Sequence, residues 1–163
     1  MRTLTCIFAF AFLFISCDDQ KKQLAEKFDK LQTQHDSIAQ VHSEFKSVHT
    51  AMLQKHQEFK SRLEGMEVQD STIFEDVAKH EAILVEHDAL LEGHDEIISA
   101  HKELKKGFGE KSAAEMEAQL SQMMETHEKL MEEHSDMEKD HEMMQKEHET
   151  IMAKLDSTQI DAS

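Results

Sequence analysis

The apolar positions of this chain repeat in steps of three and four, and a histidine sits at one of them in every repeat. The histidines are His35, His42, His49 and His56; then His80, His87, His94 and His101; then His127, His134, His141 and His148. Within each run the step is seven, which returns to nearly the same face of a helix. The residues three after the histidines are Ile38, Phe45, Met52, Phe59, Ile83, Leu90, Ile97, Leu104, Leu130, Met137, Met144 and Ile151, all apolar. The residues one after are all polar, from Asp36 to Glu149. In heptad terms histidine takes one core position and an apolar residue three further on takes the other. The histidines are therefore expected to point inward.

Apolar residues bracket each run one heptad out: Phe28 and Leu63, Ile73 and Phe108, Leu120 and Leu155. The chain is thus three copies of one unit, separated by turn-like stretches. "LEGMEVQDST" holds Gly65 and then Thr72 with Glu75, a capping-box spacing; "KKGFGEKSAAE" holds Gly107 and Gly109, then Ser112 with Glu115. Helices are predicted near 19–64, 72–106 and 113–157. Gly93, inside the second, costs about 1 kcal/mol relative to alanine unless it permits a close approach beside His94.

Short connections favour antiparallel neighbours. Pairing Phe28 with Phe108, His35 with His101, His42 with His94, His49 with His87, His56 with His80 and Leu63 with Ile73 keeps the sum of the two residue numbers constant. A third helix parallel to the first completes the pattern. The predicted fold is all-α, an elongated antiparallel (up-down-up) three-helix bundle or coiled coil. It carries four histidine layers: His35/His101/His127, His42/His94/His134, His49/His87/His141 and His56/His80/His148. Seven residues at about 1.5 Å each set successive layers about 10 Å apart. One difficulty stands in the way: side chains lean toward the N-terminus of their own helix, so those of the antiparallel second helix lean the other way and could miss the layer plane.

Composition agrees with long helices. The 163 residues include no proline, tryptophan or tyrosine and only four glycines, and good helix formers dominate. Buried imidazoles then pose the chemical question. A buried polar group without a partner costs about 1–3 kcal/mol, against a net domain stability of about 5–15 kcal/mol, so twelve cannot go unsatisfied. Three imidazoles on one axis match the ligand set that holds zinc with a water as fourth ligand. The candidate cofactor is a divalent transition metal, zinc first, with copper, nickel or cobalt also suited to imidazole. Met52, Met123, Met137 and Met144 offer soft thioethers to Cu(I), although methionine at such positions is ordinarily core filler. A macrocycle such as haem would be crowded by the layer spacing. The competing reading is a hydrated or pH-sensitive seam that fixes register, as buried polar residues do in coiled coils.

The N-terminal stretch stands apart. "MRTLTCIFAFAFLFISC" has one basic residue, an apolar run and then Ser16-Cys17, a pattern that suits a signal peptide better than a spanning helix. The segment Leu13 to Cys17, "LFISC", resembles the lipobox of bacterial lipoproteins, in the looser form of Bacteroidota. The leucine lies four residues before the cysteine, one further than in the strict pattern. The resemblance covers the leader only. It implies cleavage after residue 16, lipidation of Cys17, a short tether over 17–22 and a bundle over 23–163. It also implies a lipid-anchored location in the cell envelope, at the outer membrane, either periplasmic or surface-exposed; Asp18-Asp19 accompany export to the surface in that group. Cys6 would leave with the leader, and no thiol would remain for a disulfide or a thiolate site.

A formal net charge of −16 removes the basic patch that nucleic acid or anionic lipid needs and attracts cations instead. Most of these charges read as solvated outer faces. Two functions from different classes follow: a metal-binding envelope lipoprotein acting as buffer, store or carrier, and a structural or interaction lipoprotein with a polar seam. The partners are metal ions and, through Cys17, the membrane; the sequence names no protein partner. An enzyme is not expected. A three-histidine zinc with water could hydrolyse or hydrate, but the sequence offers no separate acid, base or substrate pocket.

Overall fold

A computed structural model describes residues 8–66 and 70–161, with side chains over 18–66 and 70–157. Its elements are α1 (Phe8–Glu64), α2 (Ser71–Glu103), a 3-10 turn (Phe108–Glu110) and α3 (Ala113–Asp161), with no strand among the described residues. The expected leader cleavage and the Cys17 side chain lie outside the described residues. The α1 helix is continuous from Phe8, upstream of its predicted start.

Two compact units share these helices, one of residues 1–39 and 96–129, the other of 40–95 and 130–163. The first holds one histidine layer and an apolar cluster of Leu24, Phe28, Leu31, Phe108, Met116, Leu120 and Met123. The Phe28 and Phe108 rings stack there at 3.9 Å, so the pairing expected of these two plugs is present. The second unit holds three histidine layers, with apolar layers of Phe45, Leu91 and Met137 and of Met52, Leu84 and Met144. Phe59, Leu63, Ile73, Val77 and Ile151 form its further cluster, with Leu155 partly buried against them. In both units α2 runs antiparallel to α1 and α3.

One part of the heptad assignment is corrected. On α1 and α3 the buried apolar residue follows the histidine by three, as at Phe45, Met52, Met137 and Met144. On α2 it follows by four: Leu84, Leu91 and Ile98 are buried, while Ile83, Leu90 and Ile97 are half-buried flanks. The reason is direction. A layer lies at one height, and three residues along α1 correspond to three residues backward along α2. Backward by three from one histidine is forward by four from the preceding one. The constant-sum pairing already contains this result, since it sets Met52 against Leu84.

The helix ends are also partly as expected. Ser112 and Glu115 form the full capping box: the Ser112 backbone N–H donates to Glu115 Oε2 at 2.8 Å, and the Glu115 N–H donates to Ser112 Oγ at 3.3 Å. At α2 the cap is Asp70, not Thr72; its carboxylate accepts from the Thr72 backbone N–H at 3.0 Å and from the Thr72 hydroxyl at 2.7 Å. The α2 helix stops at Glu103, three residues before its predicted end. Gly107, with φ +78°, then turns the chain so that Phe108 reaches the core.

The close approach suggested beside Gly93 is absent: a Cβ there would meet nothing within 4 Å. Gly93 therefore carries only its entropic cost. Gly93→Ala is expected to stabilise the chain by about 0.5–1 kcal/mol in chemical denaturation. A loss of stability would show that the position is constrained in a way the geometry does not reveal.

Candidate metal centres

All twelve histidines are buried, none more than 8% exposed. They meet in the four expected triads, His35/His101/His127, His42/His94/His134, His49/His87/His141 and His56/His80/His148, with one ring nitrogen from each member within 4.8 Å of the others. The α2 rings do not miss the layers.

The rings meet in one repeated pattern. The α3 histidine presents Nε2 to the centre, and the other two present Nδ1. From α1, the Nδ1 to Nε2 distances are 3.3, 3.0, 3.0 and 3.1 Å for His35–His127, His42–His134, His49–His141 and His56–His148. From α2 they are 3.2, 3.3, 3.3 and 3.2 Å for His101–His127, His94–His134, His87–His141 and His80–His148. Two nitrogens each about 2.05 Å from a tetrahedral zinc lie about 3.3 Å apart. The observed separations fit ions of that class.

Apolar side chains close the layers of the second unit. Phe45 stacks on His141 with centroids 5.4 Å apart and tilts over His134 at 5.3 Å. Phe59 stacks on His148 at 4.0 Å. Met52, Met123, Met137 and Met144 are buried in the apolar clusters, the place of core filler.

Acidic side chains reach the outer edges of five rings. His42 Nε2 lies 3.1 Å from Asp95, and His49 Nε2 3.0 Å from Asp88, so α1 rings donate to α2 carboxylates. His94, His87 and His80 donate from Nε2 to Glu133, Asp140 and Glu147 on α3, at 2.8, 3.2 and 2.6 Å. These carboxylates were not singled out from the sequence, where the acidic residues read as solvated faces. A neutral imidazole carries one N–H, so a ring that donates from Nε2 turns a bare Nδ1 lone pair inward. In the His42/His94/His134 layer two such lone pairs face His134 Nε2. That atom brings at most one proton, while the buried His134 Nδ1 has no hydrogen-bond partner. The triad holds more lone pairs than protons, an arrangement that a cation satisfies.

Burial lowers the basicity of nine rings. For His127, His134, His141 and His148 the pKa falls from 6.5 to about 4, through desolvation first and then repulsion from the two facing histidines. His35, His42, His49, His56 and His101 are lowered as well, again chiefly by burial, with Asp95 opposing at His42 and Asp88 at His49. Lys46, hydrogen-bonded to Asp95 at 2.5 Å, holds that carboxyl below the usual range, and His42 adds to the effect.

Stability should follow these shifts. Below pH 6.5 the unfolded chain takes up protons that the folded rings refuse, so folding free energy is lost as pH falls. For the α3 histidines the loss continues to about pH 4, their folded value. The melting temperature of the metal-free chain is therefore expected to be level above about pH 6.5 and to drop steadily between there and about 4. A level profile through that window would mean that the rings titrate as exposed ones do. No family model, curated protein or solved structure matches this chain.

Proposed function

We propose that this chain is a cell-envelope lipoprotein that binds divalent transition metal ions in its histidine triads, as a buffer, store or carrier. One observation carries the metal part: in every layer two Nδ1 atoms stand within 3.3 Å of one Nε2, on side chains that are all buried. Zinc suits this set with a fourth ligand, and copper, nickel and cobalt are the imidazole-binding alternatives. The envelope part rests on the leader: "LFISC" would place a lipid on Cys17 and anchor the domain at the outer membrane. The net charge of −16 would concentrate cations around the chain. Binding rather than catalysis is the reading, because all twelve imidazoles are buried and apolar side chains close the layers of the second unit.

A second reading is favoured by the same short contacts. Ring nitrogens 3.0–3.3 Å apart are also at hydrogen-bond distance, so the triads could be a structural seam that fixes register without an ion. The two readings separate on metal content. Protein purified without a histidine tag should retain metal and gain melting temperature in zinc if it is a metal binder. An ion-free chain indifferent to zinc is the result expected of a seam.

Each triad should behave as its own site, because apolar residues intervene. Calorimetric titration is expected to give up to four zinc ions per chain. The variant His42→Leu/His94→Leu/His134→Leu should lose one of them and stay folded, since apolar groups replace polar ones in a core. A count that stays at four, or falls to zero, would show that the layers are not the binding units.

A further inference from the structure

The four triads share one ring geometry, but their surroundings differ. The register that sets Asp95 against His42 and Asp88 against His49 sets Lys102 against His35 and Glu81 against His56. The register that sets Glu133, Asp140 and Glu147 against His94, His87 and His80 sets Thr126 against His101. Both outer carboxylates are therefore present in the His42/His94/His134 and His49/His87/His141 layers. The His56/His80/His148 layer has one in use, Glu147; Glu81 pairs with Lys60 instead, and His56 Nε2 is buried without a partner. In the His35/His101/His127 layer a lysine and a threonine hold the two places, and His35 Nε2 is buried without a partner. His101 also borders an open groove of about 670 Å³ lined by Leu104, Gln119, Gln122, Met123 and Thr126.

Resting on the metal-binding reading, we propose that Asp88, Asp95, Glu133, Asp140 and Glu147 are positioning residues that lock the inward Nδ1 lone pairs, and that they grade the four triads. The His42/His94/His134 and His49/His87/His141 triads bind most tightly, the His56/His80/His148 triad less so, and the His35/His101/His127 triad least. The physical reason has two parts. A carboxylate on Nε2–H fixes the tautomer that leaves Nδ1 bare and raises the electron density on that nitrogen. Its negative charge also offsets the cation. Loss of such a partner ordinarily weakens metal binding by about 10–100-fold. At His35 the matching place holds Lys102, which offers neither an acceptor for an Nε2–H nor a negative charge, and His35 Nε2 is left without a partner.

The sequence carries this grading openly. On α2 the residue after the histidine is Glu81, Asp88, Asp95 and then Lys102; on α3 the residue before it is Thr126, Glu133, Asp140 and Glu147. The heptad is kept at all four layers, and the flanking acid is dropped at one.

Two measurements on the full chain test the proposal. Two-bond nitrogen–proton correlation spectra of the metal-free protein report ring tautomers directly. His42, His49, His80, His87 and His94 are expected in the Nε2–H form, and the Nδ1–H form at these rings would overturn the orienting role. Zinc titration against a competing chelator should resolve at least two classes, two ions tight and one weak. Asp95→Leu with Glu133→Leu should weaken one tight ion by about 10–100-fold and spare the others. Lys102→Asp with Thr126→Glu should tighten the weakest ion by a similar factor, a gain that misfolding could not mimic. Four equivalent ions, or two variants without effect, would overturn the grading. A chain that takes up no zinc overturns the metal-binding reading and the grading together, while the tautomer spectra still decide whether the carboxylates orient the rings.

Discussion

The constraint on which everything else depends is the satisfaction of imidazoles in a core. Each ring has two nitrogens on opposite edges and one proton to place when neutral. An inward edge must find other inward edges, and an outward edge must find an acceptor or bear the cost of burial. The heptad step puts every inward edge on one seam. The antiparallel register brings three edges to one height. The acidic residues beside the histidines on α2 and α3 then meet the outer edges of the rings on the neighbouring helix. Apolar layers between the triads supply the burial that holds the helices together, with side chains such as Leu84, Met137 and Met144 almost wholly withdrawn from water.

The fold and the triads were legible because they depend on periodicity, and periodicity is visible in residue numbers alone. All four triads assemble as the constant-sum pairing requires. Other features depend on geometry that a linear pattern does not carry. The apolar position on α2 lies one residue beyond the expected one, because Ile83-Leu84, Leu90-Leu91 and Ile97-Ile98 are both-apolar pairs, and the direction of the helix decides which member is buried. The Asp70 cap was hidden by a Thr-x-x-Glu spacing that fits a capping box two residues later. The ring edge that each helix presents, Nδ1 from α1 and α2 and Nε2 from α3, is a rotamer outcome with no sequence signature. The orienting carboxylates had a signature, the recurring His-Asp and Glu-His neighbours. It was masked by the 34 acidic residues of the chain, most of them on exposed faces.

The same constraint links electrostatics to function. Burial makes the α3 rings poor bases, which keeps them neutral and available as ligands near neutral pH. In the second unit Phe45 and Phe59 lie over the triads, while the acidic exterior favours cations. A seam of leucine would pack as well without needing partners. Histidine at every layer trades that simplicity for a set of converging lone pairs, which a bound cation would satisfy.

The most direct test locates the ion. Crystals of the full chain grown with zinc, measured on both sides of the zinc absorption edge, should show anomalous density at the centres of the histidine triads, about 2.0–2.1 Å from two Nδ1 atoms and one Nε2. Zinc found only on surface carboxylates, with the triads closed on themselves through ring-to-ring hydrogen bonds, would contradict the account.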